Sequence, residues 1–134
     1  MKFGIKTLFC VSVIILIIGG CEKSPDFKYF GSWVETIEES DTIVFDIDSY
    51  SRLFYLDRGT ELRNGYLVPR AGSGIYYYEL SEDSISVMWG LSSSIYMTNW
   101  YIELSNDEES FKIGKFYPEG PETEEDYLVF RKIN

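Results

Sequence analysis

The chain has no histidine and only two cysteines among its 134 residues. Without histidine it lacks the side chain that titrates near neutral pH, which is also the commonest metal ligand. Glutamine is absent too, and Ala71 is the single alanine. The best helix former is thus nearly missing, whereas 11 Tyr, 9 Phe and 3 Trp supply side chains that favour strands. The expected fold class is all-β.

What is present begins with an address. Lys2 and Lys6 precede an uncharged apolar segment, Thr7 to Ile18, which ends at Gly19-Gly20-Cys21. About a dozen residues suit the apolar core of a secretory signal, whereas a spanning helix needs roughly 20. The sequence Ile18-Gly19-Gly20-Cys21 resembles the lipobox of bacterial lipoproteins. That resemblance implies removal of a signal peptide over residues 1–20, diacylglyceryl modification of Cys21 and further acylation with palmitate-type chains. A membrane partner then follows through the lipid anchor alone, since two or more acyl chains anchor stably. Glu22 rather than aspartate follows the cysteine, which points to the outer membrane of a two-membrane envelope. Cys10 leaves with the signal and Cys21 is modified. The remaining domain then has no thiol for a disulfide, a nucleophile or a Cys/His zinc site.

Ten of the 12 basic residues and all 22 acids lie beyond residue 20, giving that part a net charge of −12. Such a surface opposes nucleic-acid binding, which depends on neutralising phosphates. It suits a basic protein. Residues 21–29 read as a lipidated tether containing Pro25, and residues 30–134 as one domain.

Within that domain, short strands and polar turns alternate. Strands are expected over 32–37, 42–47, 52–56, 74–80, 84–89, 95–104, 110–117 and 127–132, eight in all. Ile43, Phe45 and Ile47 fall on one face with Thr42 and Asp46 on the other, and Ile85, Val87 and Trp89 share one face, the mark of half-buried strands. Short connections favour antiparallel neighbours, in a barrel or a β-sandwich. The exception is 57–73, where Asn64-Gly65 predicts a type I′ turn and 66–68 a short extra strand. Long loops of this kind in compact domains are commonly functional.

Gly31-Ser32-Trp33 opens the first strand and Arg131 lies in the last. This Gly-x-Trp with a late arginine resembles the lipocalin superfamily, eight-stranded up-and-down barrels, and small lipocalin-like domains of bacterial lipoproteins. The resemblance implies that Gly31, Trp33 and Arg131 close one end of the barrel, with the guanidinium across the indole. The middle lipocalin motif and the final helix are missing.

Four of the five arginines, Arg52, Arg58, Arg63 and Arg70, fall within residues 52–70. Arg58, Arg63 and Arg70, on a glycine-rich loop, are candidates to grip a carboxylate or phosphate. They equally suit ion pairs that hold the loop down. Tyr76, Tyr78, Trp89 and Trp100 are candidate ligand-binding aromatics, or else core filling of a small barrel. The close acid groups Glu38/Glu39, Asp46/Asp48, Glu82/Asp83 and Asp107/Glu108/Glu109 nearly all fall in turns. The expectation is therefore no enzyme, metal or cofactor. The chain reads as an envelope lipoprotein that binds a small apolar or anionic ligand or a protein, or as an acidic inhibitor or immunity-type module against a basic protein.

Overall fold

Strands whose side chains alternate between apolar and polar bury one face only if the sheet curls over a core. A computed structural model shows how this chain does so, and it describes residues 25–46 and 52–133. Cys21, the signal segment, Ile47 and Asp48 lie outside the described residues.

The strands are β1 (Gly31–Glu35), β2 (Thr42–Phe45), β3 (Leu53–Asp57), β4 (Thr60–Arg63), β5 (Tyr66–Pro69), β6 (Gly74–Leu80), β7 (Ser84–Trp89), β8 (Thr98–Leu104), β9 (Ser110–Gly114) and β10 (Tyr127–Ile133). Eight of them form a closed antiparallel barrel in the order β1-β10-β9-β8-β7-β6-β3-β2. Each pairs with its neighbours in the chain, except that β3 passes to β6 across the separate β4–β5 hairpin. This is the up-and-down topology expected of a lipocalin-like barrel. β1 and β10 close it, from Ser32 opposite Ile133 to Glu35 opposite Phe130. Closure leaves no edge strand in the barrel to pair with another chain.

Inward positions are occupied by large rings. Phe54 stacks on Tyr76 at 5.1 Å, Phe45 lies 5.1 Å from Phe54, and Phe111 stacks on Phe130 at 5.3 Å. Trp33 meets Phe111 edge-on at 4.9 Å. Each such pair contributes ~0.5–1.5 kcal/mol beyond area burial. These side chains fill the middle of the barrel, as they do in the smallest eight-stranded barrels.

The two ends differ. At the lower end, Pro25–Tyr29 forms a 3₁₀ turn against the barrel. Tyr29 is buried, packs on Phe45 and Phe111, and accepts the Trp33 indole N–H at its carbonyl at 2.7 Å. The part of the expected tether nearest the barrel is therefore folded, with Tyr29 as its apolar plug. At the upper end stand four connections: 36–41, 58–73, 90–97 and 115–126. The second carries the β4–β5 hairpin, whose turn has Asn64 at φ 53° and Gly65 at φ 84°. Positive φ at both central residues is the type I′ geometry that Asn-Gly predicts.

Several boundaries depart from the sequence expectation: β1 ends at Glu35 rather than Ile37, β9 ends at Gly114 rather than Tyr117, and β8 starts late. Residues 95–97 are an exposed loop rather than the start of β8. The Ser92 hydroxyl accepts the Ser94 N–H at 3.0 Å and the Ser94 hydroxyl accepts the Tyr96 N–H at 3.2 Å. Serine side chains thus take the backbone donors a ladder would need.

Candidate functional site

Arg58 follows directly on β3, and its side chain turns under the upper loops instead of out to solvent. Its Nε donates to Asp41 Oδ2 at 3.2 Å, and both side chains are 1% exposed. Nη1 donates to the carbonyl of Pro118 at 2.6 Å and to that of Ala71, and Nη2 to that of Glu119. The guanidinium also lies over the Tyr117 ring, 4.8 Å from its centre, while the Tyr117 hydroxyl donates to Asp41 Oδ2 at 2.9 Å. One buried fork thereby joins loops 36–41, 58–73 and 115–126. Burial, then the charge and hydrogen bond of Asp41, push the Tyr117 phenol well above the ordinary tyrosine range. Glu35, fully buried beneath the same loops, accepts the N–H groups of Ile37 and of Glu38, the latter at 2.9 Å, and so fixes the β1–β2 connection.

This arrangement changes the meaning of the arginine cluster. Arg58 has four of its five N–H donors engaged by Asp41 and three carbonyls and is buried, so its role is to hold the loops together rather than to present a fork to solvent. Arg63 stands on the exposed hairpin beside Glu61, and Arg70 is held by its backbone to Gly59 and Ser73. The three candidates do not converge on one site.

The proposed closure is corrected in a similar way. Arg131 points outward and pairs with Glu39 at 3.0 Å, both half exposed. Lys132 instead places its Nζ 5.2 Å from the Trp33 ring centre. The register explains this: Trp33 lies opposite Lys132, so those two share a face, and the adjacent Arg131 takes the other. Gly31 does open β1, with its Cβ position facing Lys132 Cε at 3.6 Å.

The aromatic candidates divide. Tyr78 lies deep among Phe45 and Phe54. Tyr76, Trp89 and Trp100 gather with Phe116 around a cavity of about 250 Å³ at the upper mouth, walled on its outer side by Ser92, Ser94 and Tyr96 of loop 90–97. Tyr76 donates to the Gly72 carbonyl at 2.7 Å, and Trp89 to that of Ser73 at 3.3 Å. Among the described residues the buried Trp100 indole N–H finds no acceptor. An unpaired donor of this kind costs ~1–3 kcal/mol. Burial raises the Tyr76 phenol to about 12, an effect that Arg58 partly offsets.

A larger groove of about 650 Å³ lies at the lower end beside the 3₁₀ turn, with Lys28, Glu82, Glu103 and Glu108 around it. Those charges are solvated, and no buried polar group faces it unpaired among the described residues.

The outer rim of the upper end has two chemistries. Leu62, Tyr66 and Leu67 of the hairpin and Leu91, Ile95 and Tyr96 of loop 90–97 are exposed, Ile95 by 81%. These two connections are neighbours, since β3, β6, β7 and β8 are consecutive around the barrel. The other half of the rim is acidic, with Glu38 and Glu39 on 36–41 and Glu119, Glu122, Glu124, Glu125 and Asp126 on 115–126.

Sequence reasoning missed Asp41, Tyr117 and Glu35. Asp41 closes a run of polar turn residues and carries no signal of burial. Pro118 following Tyr117 marks only a chain turn. Compared with known proteins, the chain matches no family model, and neither a curated protein nor a solved structure matches it to a significant degree.

Proposed function

We propose that the chain is a noncatalytic cell-envelope lipoprotein, anchored through Cys21, that engages a protein partner through the upper rim of its barrel. The observation that carries this reading is the pair of exposed apolar loop tips on adjacent connections. Six large apolar side chains held in water on two neighbouring loops are what an interface core requires. The chain enters the barrel at the lower end, through the 3₁₀ turn, so an anchor preceding that turn leaves the upper rim facing away from the membrane. The ring-filled middle argues against a ligand inside the shaft, and the engaged Arg58 against an anionic one.

The acidic half of the rim favours a second reading of the same surface, an inhibitor or immunity-type module that covers a basic enzyme. Both readings place the partner's apolar patch on the hairpin and its cations toward Glu119 and Glu122. A photoreactive residue placed at Leu67 in intact cells is expected to cross-link one discrete basic protein, and one at Asn106 of the lower end is not. Leu67→Glu should abolish that adduct. Equal labelling from both ends would sink the assignment. Release of the complex near 1 M salt, where charges are screened to about 3 Å, marks the acidic half as essential. Cys21→Ser should free the protein from membranes if the anchor is as proposed.

A further inference from the structure

The barrel has no free edge, but the β4–β5 hairpin has two, because among the described residues each of its strands pairs only with the other. We infer that the outer edge of β4 is a self-pairing site. A second copy of this chain adds its own β4 there, antiparallel and with Leu62 opposite Leu62, to make a four-stranded sheet on the upper rim. This goes beyond the partner reading above, since it needs only this chain.

The turn decides which backbone groups face out. A two-residue turn at Asn64-Gly65 makes Arg63 and Tyr66 the first bonded pair, and bonded and non-bonded pairs then alternate. Glu61 and Val68 bond inward, so the N–H and C=O groups of Thr60 and Leu62 point out of β4. On β5 the outward residues are Leu67 and Pro69, and Pro69 has no N–H to give, which blunts that edge. The β4 edge keeps its donors as well as its acceptors.

Side chains select the occupant and the register. Glu61 and Arg63 share one face of β4, where they form an ion pair within the strand. An antiparallel copy centred on Leu62 sets Glu61 opposite the second copy's Arg63, and Arg63 opposite its Glu61. Opposite charges directly across a ladder are favourable. Centring on Glu61 or on Arg63 would instead set like charges face to face, and would call on backbone groups already spent within the hairpin. On the other face Leu62 and Leu67, each 73% exposed, would join their counterparts in a row of four leucines. A four-residue edge buries far less than the ~1,200 Å² of a standard interface, so the pairing is weak in dilute solution and gains from chains sharing one lipid surface.

The test places single cysteines in the intact chain in cells and follows the rate at which a disulfide-linked dimer forms, with the unsubstituted chain as blank. Leu62→Cys should link, because bonded partners in an antiparallel ladder stand ~5.5 Å apart at Cα, within disulfide reach. Leu67→Cys should not, since three strand spacings of ~4.8 Å separate its two copies. Glu61→Cys and Arg63→Cys should link to one another when expressed together, and far less to themselves, whose copies are offset along the strands. In the Leu62→Cys background, Glu61→Arg or Arg63→Glu should slow linking about tenfold, and the two combined should restore it. All these positions lie on the hairpin, outside the barrel sheet, so the barrel fold is not at stake. The purified Cys21→Ser chain at high concentration should show the same positional pattern, which separates the pairing from the anchor. Linking at Leu67→Cys as fast as at Leu62→Cys, no linking from either Leu62→Cys or the mixed pair, or a double exchange as slow as the single ones would each overturn the inference.

Discussion

Arg58 and Asp41 meet through Nε and Oδ2 at 3.2 Å with both side chains 1% exposed, in a domain otherwise crowded with solvated acids. Arg58 lies on the connection that carries the apolar hairpin, just before β4, and Asp41 on the neighbouring 36–41 connection. The pair supplies the rigid floor on which both the cavity and the rim stand. Two buried charges gain little net energy against apolar replacements, but each is costly to leave alone.

Breaking that pair is therefore expected to be severe. Arg58→Met strands the Asp41 carboxylate and the carbonyls of Ala71, Pro118 and Glu119, and should cost about 3–5 kcal/mol in urea unfolding. Asp41→Asn keeps a hydrogen-bond acceptor for Tyr117 and Arg58 and should cost less. A loss below about 1 kcal/mol for Arg58→Met would show that water reaches the fork freely.

Alkaline pH should weaken the fold before lysines titrate fully. Burial holds the Tyr29 and Tyr76 phenols up at about 12, and Tyr117 higher still, against 10.0 for a free tyrosine. The unfolded chain loses these protons as pH passes 10, whereas the folded chain keeps them. The unfolded state then binds fewer protons, so stability falls with rising pH. The contribution is complete below pH 10 and disappears as pH climbs through about 12. Denaturation midpoints between pH 9 and 12 should decline, and Tyr117→Phe should flatten the decline. A profile unchanged by that substitution would contradict the burial argument.

Two glycines separate strain from space. Gly72 sits at φ +86°, and a Cβ there would meet Pro118 Cδ and Tyr117 Cβ at 3.2 Å each. Gly65 sits at φ +84° with nothing within 4 Å. Gly65→Ala should cost only the left-handed conformation, ~1–2 kcal/mol, whereas Gly72→Ala should cost measurably more by pushing the 115–126 loop off the Arg58 fork. Thermal melts of the two variants side by side decide it.

Much of the barrel was legible because alternation survives in single strands. Ile85-Ser86-Val87 declares a face, and short turns make neighbours in sequence neighbours in space. Gly74–Leu80 and Ser84–Trp89 lie where the pattern puts them. The hairpin was only half seen, because β4 (Thr60–Arg63) is mostly exposed and lacks an apolar face to reveal it. The polar site was opaque for a different reason. Arg58 and Asp41 are 17 residues apart, and Tyr117 lies 76 residues beyond Asp41. Only the closed barrel brings their loops together, and no local pattern separates a buried turn aspartate from a solvated one.

The lower closure makes the last test. Leu128, Phe130 and Lys132 are in phase on β10, the first two buried and the third over Trp33, whereas Arg131 is out of phase and solvated. If the inward phase governs, Lys132→Ala should cost about 0.5–2 kcal/mol through loss of the cation–π contact. Arg131→Ala should cost no more than about 1 kcal/mol, the usual worth of an exposed pair such as that with Glu39. Trp33→Ala removes a fully buried indole with its bond to Tyr29 and should cost about 3–5 kcal/mol, enough to release the 3₁₀ turn. The Glu39→Ala background then discriminates between the two basic residues. There the cost of Arg131→Ala should vanish while that of Lys132→Ala persists, and the reverse order would restore the arginine as the closing residue.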